Sequence, residues 1–224
     1  MKNHLKRIAT PRTWIIDRKQ NTFIMRPKPG AHPLDMGMAL GVILRDKLAI
    51  GSTLSEIKKI LNSKEILVDG KRQKSPRLIV GLFDVISIPG KNYRLSLDTK
   101  GRIIVKDIND KEAKLKTCKV TGKTMMAGGK TQLNLHDGKN IITTEKVKVG
   151  DSLLLQLPDQ KIQKVLPLNP GSTVFLTKGK HAGRSGSLKE LQKDEAIFVH
   201  DKQEIETAKK YLFVVGEKEA LITL

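Results

Sequence analysis

Asp-Gly stands between short apolar runs twice in this chain, at Asp69-Gly70 and at Asp137-Gly138. A two-residue hairpin turn needs positive φ at both central positions, and Asp or Asn followed by Gly meets that demand at least cost. "EILVDGKRQK" is therefore predicted to run strand, turn, strand, and "TQLNLHDGKNIITT" to do the same. Thr99-Lys100-Gly101 separates "NYRLSLD" from "RIIVKDI" in a similar way, and "DSLLLQLP" supplies one more strand. Residues 91–170 thus read as an all-β domain, with Thr121–Lys130, "TGKTMMAGGK", as a glycine-rich loop between strands.

Helical spacing is confined to an earlier stretch. From Leu34 to Leu48 the residues Met38, Leu40, Ile43, Leu44 and Leu48 recur with the period of a helix. After a break at Gly51, Thr53 and Glu56 form a capping-box signature for a second helix. Its buried stripe is Leu54, Ile57, Ile60 and Leu61, with Ser55, Lys58, Lys59 and Asn62 facing outward. The hairpin at Asp69-Gly70 and the apolar "RLIVGLFDVISIP" close a small helix-helix-hairpin domain over residues 34–90. Residues 1–33 hold eight bases, one acid and four prolines, too little apolar surface for a core of their own. They read as a basic arm that orders on a partner, with Trp14 and Phe23 as its anchors.

Charge narrows the partner. The chain carries 42 Lys and Arg against 23 Asp and Glu, net +19. Of this, +10 falls in residues 1–75, +8 in 76–170 and only +1 in 171–224. Such a surface attracts polyanions, nucleic acid first. No apolar run reaches the length of a spanning helix, and charges stand where a signal peptide needs its apolar core, so no membrane is expected. The single cysteine, Cys118, suits a reducing cytoplasm, and the five histidines show no zinc-ligand spacing, so no metal is expected. With only eight aromatic side chains, some needed in cores, phosphate contacts and shape recognition are expected to outweigh base stacking.

"GKT" occurs at Gly122–Thr124 and Gly129–Thr131, and "TKGKHAGRSGSL" follows at Thr177–Leu188. A P-loop needs a further glycine five residues before its Gly-Lys-Ser/Thr, and those positions hold Thr117 and Thr124. Val174 stands at the same place before Gly179, whose "GKH" also ends in the wrong residue. No nucleotide cofactor is expected.

The two helices followed by "ILVDGK" resemble the S-four-type RNA-binding domain of ribosomal proteins and pseudouridine synthases. The first helix reads Leu40-Gly41-Val42 where that family begins Arg-Leu-Asp, and Leu54 replaces a usual arginine at the start of the second. The phosphate partners implied within the module are Arg45, Lys47, Lys58, Lys59, Lys71, Arg72 and Lys74. From the arm come Lys6, Arg7, Arg12, Arg18, Lys19, Arg26 and Lys28, and from the glycine-rich loop Lys123 and Lys130. Around the last glycines, Gly171, Val174, Gly179, Gly183, Gly186 and Leu188 resemble the KOW motif of an SH3-like barrel, its loop carrying Lys180 and Arg184.

In this order the parts resemble the S-four-e family of small-subunit ribosomal proteins over essentially the whole chain. The implied fold is α+β and multidomain: basic N-terminal arm (1–33), S-four-type RNA-binding domain (34–90), central all-β domain (91–170) and C-terminal KOW SH3-like β-barrel (171–224). The implied role is structural and cytoplasmic, in the small ribosomal subunit. It binds 16S-type ribosomal RNA and, through the barrel, neighbouring ribosomal proteins, without catalysis. Two alternatives stand beside it. An RNA-modifying enzyme would draw an active-site aspartate from Asp98, Asp107, Asp110, Asp137, Asp151 or Asp159, which stand mostly at turns. A KOW-bearing transcription or translation factor would leave the basic front half unexplained.

Overall fold

The structure, a computed structural model, describes residues 4–201 and 203–224. The first three residues of the expected arm lie outside the described residues. The chain divides into two compact units, one of residues up to Ser96 with Arg102–Ala113, the other of Leu97–Gly101 with Lys114–Leu224. Among the described residues strands dominate, and only one α-helix exceeds four residues.

The first unit begins with a two-stranded ribbon, β1 (Leu5–Lys6) antiparallel to β2 (Phe23–Ile24). Between them Trp14 is 2% exposed, and its indole N–H donates to the carbonyl of Gly37 at 2.9 Å. This corrects the expectation of an arm without a core: the large indole finds its burial against the neighbouring module. The guanidinium of Arg18 fastens the segment from within, donating to the carbonyls of Thr10 at 2.9 Å and Pro11 at 2.8 Å.

Strand β3 (Gly37–Ala39) pairs with Ile79–Gly81 and leads into α1 (Leu40–Val42), which continues as a π-helical turn, Ile43–Lys47. The single helix expected from Leu34 to Leu48 is therefore part strand. Residues 37–44 are buried on every side, and a run buried all round carries no periodicity to tell strand from helix. Helix α2 (Leu54–Ser63) has the expected capping box, in which Thr53 Oγ accepts from the N–H of Glu56 while Glu56 accepts from the N–H of Thr53. Ile57 and Leu61 are buried on it, Leu54 is exposed, and Ser55, Lys58, Lys59 and Asn62 face solvent.

Strands β4 (Leu67–Val68) and β5 (Lys71–Arg72) form the predicted hairpin, with Asp69 at φ 50° and Gly70 at φ 73°. After β6 (Ile79–Gly81) come β7 (Val85–Ile88), β8 (Lys91–Leu97), β9 (Ile103–Ile108) and the short α3 (Asp110–Ala113). The sheet order is β5-β4-β7-β8-β9. Strands β7 and β8 pair from Val85↔Arg94 to Ile88↔Lys91, across the position at which the small domain was expected to end. Arg94, fully buried, clasps the side chain and the carbonyl of Glu112 on α3.

The second unit holds two antiparallel five-stranded sheets. The first contains β10 (Leu115–Met125), β11 (Thr131–Leu135), β12 (Asn140–Thr143), β13 (Ser152–Gln156) and β14 (Lys161–Leu166), ordered β12-β11-β10-β13-β14. The second contains β15 (Thr173–Leu176), β16 (Ser185–Leu191), β17 (Glu195–His200), β18 (Gln203–Ala208) and β19 (Leu212–Gly216), ordered β18-β17-β16-β15-β19. Half of the expected loop 121–130 is strand: β10 runs to Met125, and the hairpin turns only at its tip, where the N–H of Met126 donates to the carbonyl of Lys130. Lys119 joins the two sheets, its ammonium donating to the carbonyls of Lys210 at 2.8 Å and Leu212 at 2.7 Å.

Candidate nucleic-acid interface

On the first unit α2 and the β4–β5 hairpin with the residues after it carry five expected cations, all exposed. The stripe that buries Ile57 and Leu61 turns Lys58 and Lys59 to solvent, and the tight Asp69-Gly70 turn holds Lys71, Arg72 and Lys74 outward. Arg72 pins the two pieces by donating to the carbonyl of Asn62 at 3.2 Å, where the negative end of the helix dipole lies. Lys64, the C-cap residue of α2, stands exposed beside them. The nearby acid Glu56 is occupied by its capping contacts, and the N–H and hydroxyl of Ser52, with the N–H of Thr53, hold its carboxyl below the usual range. The patch is thus cationic, exposed and carried on regular elements, as a phosphate-binding face requires.

A second group lies along the segment after β2. The N–H of Lys28 donates to the carbonyl of Arg77 at 2.7 Å, and Arg77 Nε donates to the carbonyl of Arg26 at 3.0 Å, so these three bases sit side by side. Lys6 on β1, and Arg12 and Lys19 between β1 and β2, are exposed as well. Three other expected bases are held internally. Arg7 is 3% exposed, its guanidinium on Asp46 at 3.4 Å and Gln20 at 3.1 Å. Arg18 holds backbone carbonyls, and Arg45 grips Asp46 at 2.6 and 3.0 Å, a bond that raises its pKa. Lys47 is half-buried, its pKa lowered by burial and then by the neighbouring Arg102. Lys64 and Arg77 are the bases of these groups that sequence reasoning missed. Their place became visible only with the end of α2 and the backbone pairing at Lys28.

In the second unit, Lys123 and Lys130 flank the exposed Met125 and Met126 on the β10–β11 hairpin, Lys123 donating to the carbonyl of Val147 at 3.3 Å. The loop of residues 177–184 joins β15 to β16 and opens no helix, so it lacks the N-terminus on which a P-loop seats its anion. Gly183 has φ 85°, and a Cβ there would lie 1.9 Å from the carbonyl oxygen of Asp98. Gly186 is not left-handed; what it needs is space, since a Cβ would meet the carbonyl of Val199 at 2.2 Å. Exposed Lys180 and half-buried Arg184 make this loop cationic; burial first, then Arg184 and Lys180, lower the pKa of His181 between them.

Cys118, His136 and Asp137 bring potential metal-ligand atoms within 4.8 Å of one another. The cation there is built in. The ammonium of Lys116, 1% exposed, stands 2.9 Å from Asp137, with Lys139 at 3.4 Å. Burial pushes the Asp137 carboxyl up, but Lys116, His136 and Lys139 outweigh it and hold it at about 2. His136 Nδ1 meanwhile accepts from the N–H of Lys119 at 3.2 Å. The turn aspartates that a modifying enzyme would require also serve the backbone: Asp98 accepts from the N–H of Thr99, and Asp151 from those of Lys148 and Leu168.

Comparison with known proteins converges on one family. A family model described as Ribosomal family S4e matches residues 89–162, and an RS4NT domain matches residues 1–35. Small ribosomal subunit protein eS4 of Methanocella arvoryzae is 42% identical over 223 residues, covering 96% of this chain and 94% of that protein. The eS4 protein of Methanocaldococcus jannaschii is 39% identical over 240 residues, covering 100% and 98%. The crystal structure of the 30S ribosomal protein S4e from Thermoplasma acidophilum superposes with a TM-score of 0.73 at 30% identity, over 82% of this chain and 96% of that one.

Proposed function

The chain belongs to the ribosomal S4e family, and from that premise we propose how it holds its RNA. It is a structural, non-enzymatic constituent of the small ribosomal subunit, associated there with small-subunit ribosomal RNA and ribosomal proteins. The observation that carries the reading is the set of exposed cations on α2 and the β4–β5 hairpin, Lys58, Lys59, Lys71, Arg72 and Lys74, with Arg72 bonded to the end of α2. Residues 34–90 act as the S-four-type module, gripping the phosphates of a folded RNA by shape and charge. The segment with Arg12, Lys19, Arg26 and Lys28 extends that grip, its geometry fixed by Trp14. Residues 171–224 act as a KOW module of the SH3-like kind. The antiparallel order of β15–β19 and the glycine-bent loop support that assignment, and its loop offers Lys180 and Arg184 to RNA or to a neighbouring ribosomal protein.

Co-sedimentation tests this directly. The full chain, added to small subunits depleted of it, is expected to migrate with the small-subunit peak. Replacing Lys58, Lys59, Lys71 and Lys74 together with Ala should shift it toward the top of the gradient. A wild-type chain that stays at the top, or a quadruple variant that co-sediments as fully as wild type, would refute the proposal.

A further inference from the structure

We propose that a groove within the second unit, walled by residues 146–151 on one side and Lys209–Lys210 on the other, binds an unpaired segment of ribosomal RNA. The inference rests on the rRNA-binding reading above and adds a second site to it. Two adjoining clefts, of about 590 and 570 Å³, share Val149 and Lys209. Lys119, Lys209 and Lys210 face the first, and Lys146 and Lys148 face the second. Among the described residues no ion pair engages Lys146, Lys148 or Lys209, so their charge is available.

The acids of the groove do not cancel it. Asp151 is 6% exposed, and its two oxygens accept from the N–H groups of Lys148 at 2.8 Å and Leu168 at 2.9 Å. Only Asp194 is left on the rim, its carbonyl tied to the N–H of Lys209. The floor is apolar. Val149 is 56% exposed there, with Val120 and Ala208 beside it in one cleft and Leu168 and Leu191 in the other. Cationic rims above an apolar floor match a nucleotide strand, with phosphates on the lysines and a base or ribose against the valine. A paired helix hides its bases and would leave that floor wet, which selects an unpaired segment. Each cleft lies within the size range of a small-ligand site.

Both walls are fixed before any ligand arrives. The N–H of Gly150 donates to the carbonyl of Val120 at 3.0 Å, which seats the 146–151 wall on β10. From the same strand, Lys119 seats the other wall through the carbonyls of Lys210 and Leu212. Preorganisation of this kind lowers the ordering cost of binding.

The experiment uses the full chain and small-subunit rRNA substituted with 4-thiouridine, a short-range photo-cross-linker. Cross-links from unpaired uridines to the peptides containing Val149 and Ala208 are expected. Lys146→Glu, Lys148→Glu and Lys209→Glu combined should abolish them and weaken rRNA binding at least tenfold, with an unchanged thermal melt. Wild-type rRNA binding with no cross-link in the groove, or a triple variant that binds as wild type, would overturn this site and leave the general reading standing. Cross-links that map only to base-paired uridines, or to a neighbouring protein in intact subunits, would also overturn it. A wild-type chain that binds no rRNA at all would take down the reading beneath it.

Discussion

Trp14 is the only tryptophan in the chain and is almost fully buried, so Trp14→Ala removes the principal apolar tie of the N-terminal segment. An indole buries on the order of 150–250 Å². At about 25 cal/mol per Å² that is roughly 4–6 kcal/mol against an extended chain, and the compactness of real unfolded chains reduces it to about 3–5 kcal/mol. The range agrees with measured Trp→Ala costs in other cores, roughly 3–5 kcal/mol. The lost donor to Gly37 leaves a buried carbonyl short of one partner, which acts in the same direction. Hydrogen exchange followed by mass spectrometry reads the effect locally. Peptides spanning residues 37–48 and 54–63 should lose at least about 100-fold in protection, since each 1.36 kcal/mol is a factor of ten. Peptides from residues 131–143 serve as the internal reference. The wild type supplies the control, because Trp14 should fluoresce as a buried indole without RNA. Unchanged protection in the variant, with a water-exposed emission in the free wild type, would refute the packing argument and restore the arm that orders only on a partner.

Asp137→Asn should destabilise the second unit by about 3–5 kcal/mol at neutral pH, because it leaves the Lys116 ammonium buried without its counter-charge. Asp137 is held at about 2 against an ordinary 3.8, so its contribution, of order 2 kcal/mol, is complete above the ordinary value and is lost as pH falls through the folded one. The gap between wild type and variant, read from urea midpoints, should therefore narrow from pH 4 toward pH 2; a gap independent of pH would contradict the pairing. Gly183→Ala should cost about 2–4 kcal/mol, from left-handed strain plus the collision with Asp98, whereas Gly171→Ala, with φ 91° and open space, should cost only the strain. Equal midpoints for the two glycine variants would show that the close approach is absent. No ATP or GTP hydrolysis above background is expected, and turnover abolished by Lys123→Ala or Lys130→Ala would reverse the P-loop argument.

Local chemistry made much of this legible in advance. The turn at Asp69-Gly70, the capping box of Thr53 and Glu56 and the outward lysines of α2 depend on neighbours within four residues, and each stands as predicted. What was not legible depends on distant partners. Residues 37–39 are strand because Ile79–Gly81 pairs with them, and nothing within Leu34–Leu48 encodes that. Arg7 resembles any other exposed base in sequence until the fold sets it against Asp46, far along the chain. The lysines of the second-unit groove were hidden differently. Residues 171–224 are nearly neutral in sum, so Lys209 and Lys210 carry no regional signal, and they matter only where the chain sets them opposite Lys146 and Lys148.

The central claim is that the protein holds folded ribosomal RNA through phosphates gripped by its cationic face. Its most direct test is the dependence of rRNA affinity on salt, for the wild type and for the chain with Lys58, Lys59, Lys71 and Lys74 replaced by Ala. Each phosphate contact contributes roughly 0.7–0.9 to the slope of log affinity against log salt. The wild type should therefore show a steep negative slope, flattened by about 3 in the quadruple variant. A wild-type slope near zero, or one the four substitutions leave unchanged, would contradict the account.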